Sequence, residues 1–528
     1  MRAQNLVSLQ EAAEVAAKFL QREVSQTNIA YLVQYGKVRK YGKNGSTQVC
    51  LEDLKKYYQS FRGQRENKWR RKLGNDLNWA LSFEHLREKD TTKHVHRLHP
   101  YKGKFIPQLV EYFLDSQTDY FKKQAFFQKG DIVLDPFAGS GTTLVQANEL
   151  GMHAIGVDIS NFNCTITGSK LFNYDLNLLI AEINNFKKAL QSFETKNNLE
   201  QFEAELLREL ASFNQKHFPS PQFKRGIYTK KIKENLFGKV KEAEFLKIYN
   251  SLVEKYKIKL QQNKNDNFLD KWYMENTRKE IDFAFAQLKK ARDKKIKIIL
   301  AIILSRAIRS CRATTHSDLA TLKEPQLTTY YCFKHKKICK PLFSIKYWFI
   351  RYANDTIARL REFAKVKTDS YWATISADSR EVEILGEVKK QSPKFSELLQ
   401  KQKIRGIFSS PPYVGQIDYH EQHAYAYDLF SFERKDEFEI GPLYKGQGKE
   451  ARESYVEGVA KVLLNARKFM VADFEVFLVA NDKWGLYPRI AEKAGMKVVN
   501  QFKRPVLNRT ERDKNPYAEI IFHLKDKL

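Results

Sequence analysis

One nine-residue run constrains this chain more than any other feature. Asp135-Pro136-Phe137-Ala138-Gly139-Ser140-Gly141-Thr142-Thr143 begins at the end of an apolar strand-like segment, DIVLDPF, and leads into GTTLVQANELG, which reads as a helix. A second strand-like segment, HAIGVDIS, follows at once. Strand, helix and strand in this order make a βαβ unit, the signature of a parallel, doubly wound sheet. Gly139 and Gly141 let the backbone turn tightly and approach a ligand closely, where side chains would collide with it. The run lacks the Gly-Lys-Ser/Thr of a Walker A loop, so no lysine is present to hold β- and γ-phosphates. It also lacks the third glycine of the G-x-G-x-x-G dinucleotide fingerprint.

The second strand ends at Asp158, where a carboxylate can accept hydrogen bonds from both ribose hydroxyls of an adenosine. With that acid, the run resembles the cofactor motif D-P-F-x-G-S-G-T-T of the amino-group (N4-cytosine or N6-adenine) site-specific DNA methyltransferase family. The resemblance implies S-adenosylmethionine as cofactor. Its methionine end would be held by the loop from Asp135 through Phe137, Gly139, Ser140 and Gly141 to Thr142, and its ribose by Asp158. His99–Pro107, with Lys104 and Phe105, resembles the family segment that folds over the methionine part. Ala377–Glu381 resembles the strand-end motif whose acid, here Asp378, accepts from the adenine amino group.

Ser409-Ser410-Pro411-Pro412-Tyr413 ends another strand-like segment, RGIFSSPPY. An exocyclic base nitrogen is a poor nucleophile because its lone pair is delocalised into the ring. Two acceptors, the Ser410 hydroxyl and the Pro411 carbonyl, can draw its hydrogens toward a tetrahedral arrangement. Pro411 and Pro412 fix φ and remove backbone donors, which presents those acceptors rigidly. Tyr413 offers a flat face for an extruded base. This displacement needs no metal. In the family resembled here, S-P-P-Y is associated mainly with N4-cytosine enzymes, whereas Asp or Asn in the first position is more usual for N6-adenine. The cofactor motif precedes the catalytic one with a long insertion between them, an order more usual among N6-adenine enzymes. His420 and His423, in DYHEQH, can line the base pocket or relay a proton, or serve as structural histidines.

The rest of the chain suits a polyanionic partner. Its 528 residues carry a formal charge of +29, a self-repulsion that neutralised phosphates relieve. Residues 1–60 read as a small DNA-binding unit. Ser8 caps a helix with the stripe Ala12, Val15, Ala16 and Phe19, and Ser25 caps a second helix that stops at Gly36. A hairpin turns at Asn44-Gly45 and a last helix, LEDLKKYYQSF, closes the unit. The order resembles the winged helix-turn-helix of the excisionase and MerR-type families. Residues 61–98 read as a basic linker, 99–170 as the cofactor half of a methyltransferase domain, 171–370 as a helical target-recognition insertion and 371–528 as the catalytic half. In the insertion, Arg306, Arg309 and Arg312 fall three apart, a spacing that suits phosphates on one helical face. Cys332, His335 and Cys339 are three potential zinc ligands within eight residues, with Cys311 or His316 available as a fourth. Paired C-x-x-C sets are missing, so no metal is expected.

The expected fold class is therefore α/β: a Rossmann-like class I methyltransferase sheet with a large, mainly helical insertion and a small N-terminal winged-helix-like unit. Five scattered cysteines do not suggest a disulfide framework. The amino terminus lacks a signal-type apolar core, and IKIILAIIL (296–304) is too short to span a bilayer. The expected partner is double-stranded DNA, with a cognate restriction endonuclease acting separately and no membrane, in the cytoplasm at the nucleoid. An RNA guanine-N2 methyltransferase and an inactive DNA-binding regulator on the same scaffold are the rival readings. The intact glycines, Asp158 and Ser410–Tyr413 weigh against loss of activity.

Overall fold

Apolar runs buried on both faces form the centre of a seven-stranded sheet in the computed structural model of the chain. Ile132–Asp135 (β1) is buried at every residue and His153–Asp158 (β2) at all but its first, as expected where helices cover both faces of parallel strands. Trp372–Ser376 (β3), Ile404–Ser409 (β4), Met470–Ala480 (β5), Met496–Pro505 (β6) and Ala518–Asp526 (β7) complete the sheet. The spatial order is β6-β7-β5-β4-β1-β2-β3. Strands β1 to β5 are mutually parallel, and β7 lies antiparallel between β5 and β6. Strands β6 and β7 make an antiparallel hairpin at that edge of the sheet. The chain winds from β1 out to β3, then returns to the opposite side of β1 with β4. That reversal opens a crevice at the carboxyl ends of β1 and β4, where ligands of such sheets bind. Gly406 in β4 permits one close approach. A Cβ there would lie 2.0 Å from the Glu475 carbonyl oxygen of β5.

The structure describes residues 5–527, except 21–23, 35–37, 42–46, 60–63, 85, 87, 120, 195–197, 261–266, 317–323, 342–343 and 508–514. They form two compact units: residues 73–190, 281–310 and 345–528, which carry the sheet, and residues 1–72, 191–280 and 311–344. The expected linker is largely part of the α/β unit. Its helix, Gln64–Leu73, falls in the other unit up to Lys72, and the short helical turns Trp79–Ser82 and His94–Arg97 belong to the α/β unit. Beyond residue 73 the stretch is tied to β6, where Asn78 N donates to Lys503 O at 2.7 Å and Arg504 Nε donates to Leu81 O at 3.1 Å. The expected insertion is likewise divided between the two units, with helices Lys294–Ser310 and Ile345–Ala364 in the α/β unit.

In the second unit, Ser8 and Glu11 form a capping box at the start of Leu9–Leu20. Ser8 N donates to Glu11 Oε2 at 2.8 Å and Glu11 N donates to Ser8 Oγ at 3.2 Å. Helices Gln26–Gln34 and Leu51–Gln59 follow, and strand Leu6–Ser8, which sequence periodicity did not reveal, pairs antiparallel with Gln48–Cys50. Ala12, Ala16, Ile29, Val49 and Leu54 make this region's core. Gly36 and the Asn44-Gly45 turn lie outside the described residues. The 191–280 and 311–344 segments are not wholly helical, because Tyr330–Cys332 and Lys337–Cys339 form an antiparallel hairpin. Among the described residues, no helix is long and apolar enough to cross a membrane.

Candidate active site

The two motif loops emerge side by side from the crevice. Gly139 (φ +49°) and Gly141 (φ +72°) take the left-handed backbone that only glycine adopts readily. Close packing restricts both further. A Cβ at Gly141 would lie 2.4 Å from Thr167 Cγ2, and one at Gly139 would lie 3.0 Å from the Tyr101 hydroxyl. The loop is pinned from three sides. Ala138 N donates to Val157 O at 3.0 Å, Gly139 N donates to Asp158 Oδ2 at 2.8 Å, and the buried Lys170 ammonium donates to Ser140 O. Burial holds the Lys170 ammonium well below its ordinary range.

Asp158, at the end of β2, also accepts from Ser160 N at 2.9 Å and Asn163 Nδ2 at 3.0 Å, both at Oδ1. Burial raises its carboxyl above the usual value, and these hydrogen bonds act in the opposite direction. Asp135, at the end of β1, accepts from Ser409 Oγ at 2.5 Å and Phe137 N at 3.2 Å. Burial pushes its carboxyl up to about 6, against the lowering effect of the Ser409 hydroxyl. Thr143 Oγ1 donates to Phe408 O at 3.1 Å, a second tie between the cofactor loop and β4.

These residues surround an open cleft of about 880 Å³, a volume that includes solvent at its mouth. Of the residues expected to hold a cofactor, Lys104, Phe105, Asp135, Phe137, Gly139, Ser140, Thr142, Asp158 and Asp378 line it. Gly141 stands behind the lining, against Thr167. Lys104 Nζ donates to His96 O at 2.6 Å, and burial pushes its ammonium down to about 8. Asp378 is gripped by Arg380, Nε to Oδ1 at 2.9 Å and Nη2 to Oδ2 at 2.5 Å. Two polar atoms of the lining, Ser140 Oγ and Asn163 Oδ1, are buried with no hydrogen-bond partner among the described residues. A polar ligand would satisfy both, since unpaired buried groups are costly.

Ser410 and Pro412 also line the cleft. Ser410 Oγ donates to Val479 O of β5 at 3.0 Å, and the Tyr413 hydroxyl donates to Glu519 Oε1 at 3.0 Å. Tyr101 lies in the His99–Pro107 segment expected to fold over the cofactor but is not singled out there, and Ser160, Asn163, Tyr419 and Glu439 are not foreseen in the lining. They come from four separate stretches, and only the fold brings them together.

Other expected residues lie elsewhere. His420 is fully buried and outside the lining. Its Nδ1 meets Glu439 Oε1, and its Nε2 accepts from Lys435 N at 3.4 Å. The ring of His423 packs against His99, Tyr101 and Phe162 at centroid separations of 5.5, 5.7 and 5.2 Å. The arginine triplet does not form a solvent-facing stripe. Arg306 is buried, with Nη1 2.7 Å from Asp355 Oδ2 and its guanidinium 4.2 Å from the Tyr352 ring. Arg309 is half-buried in the last turn of its helix. That helix ends at Ser310, so Arg312 lies beyond it, and Arg312 is itself buried.

Comparison with known proteins shows the family. Residues 21–169 match a family model described as DNA methylase. The chain is 46% identical over 534 residues to the Type II methyltransferase M.MjaII of Methanocaldococcus jannaschii, covering 99% of this chain and 97% of that protein. Over 84 residues it is 34% identical to the Type II methyltransferase M.BsoBI of Geobacillus stearothermophilus, 16% of this chain and 15% of that one. It is also 34% identical over 96 residues to the Type II methyltransferase M.MvaI of Kocuria varians, 18% and 19% of the two chains. A parallel sheet reversing between β1 and β4, the glycine loop and the Ser-Pro-Pro-Tyr turn in one crevice, and near full-length identity to M.MjaII place the chain in the amino-group DNA methyltransferase family, among its Type II members.

Proposed function

We propose that the protein transfers a methyl group from S-adenosylmethionine to the exocyclic N4 of cytosine in double-stranded DNA. It would serve a restriction–modification or similar defence system in the cytoplasm, at the nucleoid, with any cognate endonuclease acting separately. The observation that carries this reading is the hydrogen bond from Ser410 Oγ to Val479 O. A hydroxyl has one proton and two lone pairs. With the proton committed to a backbone carbonyl, Oγ faces the cleft as an acceptor.

Ser410 Oγ and the Pro411 carbonyl take the two hydrogens of the base amino group and localise its lone pair. The Tyr413 hydroxyl is held by Glu519, which also pairs with Arg504 Nη1 at 3.1 Å; its ring packs against the sheet core just outside the cleft lining, and an extruded base would stack on it there. The donor set fits S-adenosylmethionine, with buried acids at Asp135 and Asp158, apolar Phe137 and unpaired Ser140 Oγ and Asn163 Oδ1. When bound, that cofactor supplies a methyl group activated on a sulfonium. Asp135 would hold its cationic methionine end, Asp158 the ribose and Asp378 the adenine. His420 and His423 hold the loop that carries Tyr419 toward the cleft. The second reading, methylation of adenine N6, is favoured by the order of the two motifs around their insertion. Mass analysis of nucleosides from DNA modified by the purified protein tests the choice. N4-methylcytosine is expected, and N6-methyladenine as sole product overturns the assignment.

The raised carboxyl of Asp135 predicts a pH dependence. Its folded value, about 6, lies above the ordinary 3.8. The buried carboxylate therefore weakens the fold above pH 6, and protonation relieves that cost as the pH falls. Cofactor binding has the opposite sign, because a cationic ligand requires the ionised form. Affinity for S-adenosylmethionine is expected to be about tenfold weaker at pH 5 than at pH 7. In Asp135→Asn that difference should vanish. A flat calorimetric profile for the unmodified protein would remove Asp135 from the cofactor contact.

A further inference from the structure

We propose that His316, Cys332, His335 and Cys339 form a structural zinc site, contrary to the sequence-based expectation of no metal. One potential ligand atom from each of the four lies within 4.8 Å of the others. Zinc bonds of about 2.3 Å to sulfur and about 2.0 Å to nitrogen put the sulfur–nitrogen edges of a tetrahedron near 3.5 Å. The observed separations are 3.8 Å for Cys332 Sγ to His316 Nδ1 and 3.5 Å for Cys339 Sγ to His335 Nδ1. The two imidazole rings lie 4.4 Å apart, centroid to centroid.

The backbone builds this cluster. Tyr330–Cys332 pairs antiparallel with Lys337–Cys339, Tyr330 opposite Cys339 and Cys332 opposite Lys337. Strand alternation therefore puts Tyr330, Cys332 and Cys339 on one face, where all three are buried. Tyr331 and Ile338 point to the other face and join a core with Phe202, Phe245 and Tyr249. Asn214 locks that side, donating from Nδ2 to Ile338 O at 3.0 Å and accepting from Ile338 N at 2.9 Å. His335 sits in the turn, where Lys336 N donates to Cys332 O at 2.7 Å. His316 arrives from outside the hairpin. The Tyr330 hydroxyl accepts from His316 N at 2.9 Å, which fixes the backbone there, and it lies 2.7 Å from His316 Nδ1, a contact that zinc bound at Nδ1 would replace. Of the two candidates for a fourth ligand, Cys311 is directed elsewhere, its thiol donating to Ser344 O at 3.2 Å.

Two thiolates and two imidazoles in a tetrahedral set select zinc among the common divalent ions. Four protein ligands leave no open position, so the site is structural rather than catalytic. Two strands of three residues make a hairpin that is marginal in water by itself. A metal bound to both strands, the turn and His316 would staple them together.

The test is metal analysis of the full-length protein purified from zinc-supplemented cells. About one zinc per chain is expected, falling to background in Cys332→Ser/Cys339→Ser and retained in His335→Cys. Because the double variant can fail to fold, cobalt substituted into the unmodified protein gives an independent readout, the visible bands of a tetrahedral two-sulfur, two-nitrogen site. Background zinc in the unmodified protein overturns the proposal. So does full zinc in the double variant, a cobalt spectrum without thiolate charge transfer, or a non-reduced peptide mass showing Cys332 joined to Cys339 as a disulfide.

Discussion

Affinity for duplex DNA is expected to fall about 10³–10⁵-fold between 50 and 200 mM salt, the loss that goes with six to ten neutralised phosphates. The motivation is the +29 formal charge of the chain. Each neutralised phosphate releases a counterion, so the slope of log K against log salt counts contacts at about 0.9 per phosphate. The structure refines which cations can contribute. Arg306 is spent on Asp355 and the Tyr352 ring, so Arg306→Ala should disturb folding of the α/β unit and leave the salt slope unchanged. Fluorescence anisotropy of a labelled duplex over a salt series measures the slope. A slope close to zero would mean that the positive charge serves something other than DNA.

Ser410→Ala is expected to lower turnover about 10²–10³-fold, the scale seen when one preorganised polar contact to a reacting group is removed. Affinity for S-adenosylmethionine should change less than about twofold, because the contacts assigned to that ligand come from other residues. The substitution also leaves Val479 O without its donor, a stability loss of about 1 kcal/mol. Thermal unfolding separates this from the catalytic effect. Single-turnover methylation with calorimetry of cofactor binding makes the comparison. A variant that turns over within threefold of the parent would show that Pro411 alone organises the amino group.

The cofactor loop and the Ser-Pro-Pro-Tyr turn were legible because their chemistry is local. Strand, positive-φ glycine and helix follow one another within nine residues, and proline fixes its own φ. The edge strand Trp372–Ser376 was implied only by the strand-end motif at Ala377–Glu381 and not by periodicity: it is five residues long, and its half-buried positions, Trp372, Thr374 and Ser376, break any apolar run. Periodicity placed Arg306 and Arg309 on one helix but could not say that this face turns inward, because Asp355 and Tyr352 lie on a different helix. The same limit hid Glu439 behind His420 and the tie of Asn78 to β6. Three zinc-type ligands were visible, but choosing between Cys311 and His316 needed the path of the chain.

The hydrogen bond from Ser409 to Asp135 joins the residue preceding Ser410 to the acid at the end of β1. When a ligand changes the charge felt by Asp135, it also changes the restraint on the strand end that delivers Ser410. If so, occupancy of one half of the crevice is linked energetically to occupancy of the other. Such linkage is reciprocal for binding free energies. Whatever factor bound DNA applies to the affinity for the methyl donor, the donor must apply to the affinity for DNA, and Ser409→Ala should bring that factor closer to one.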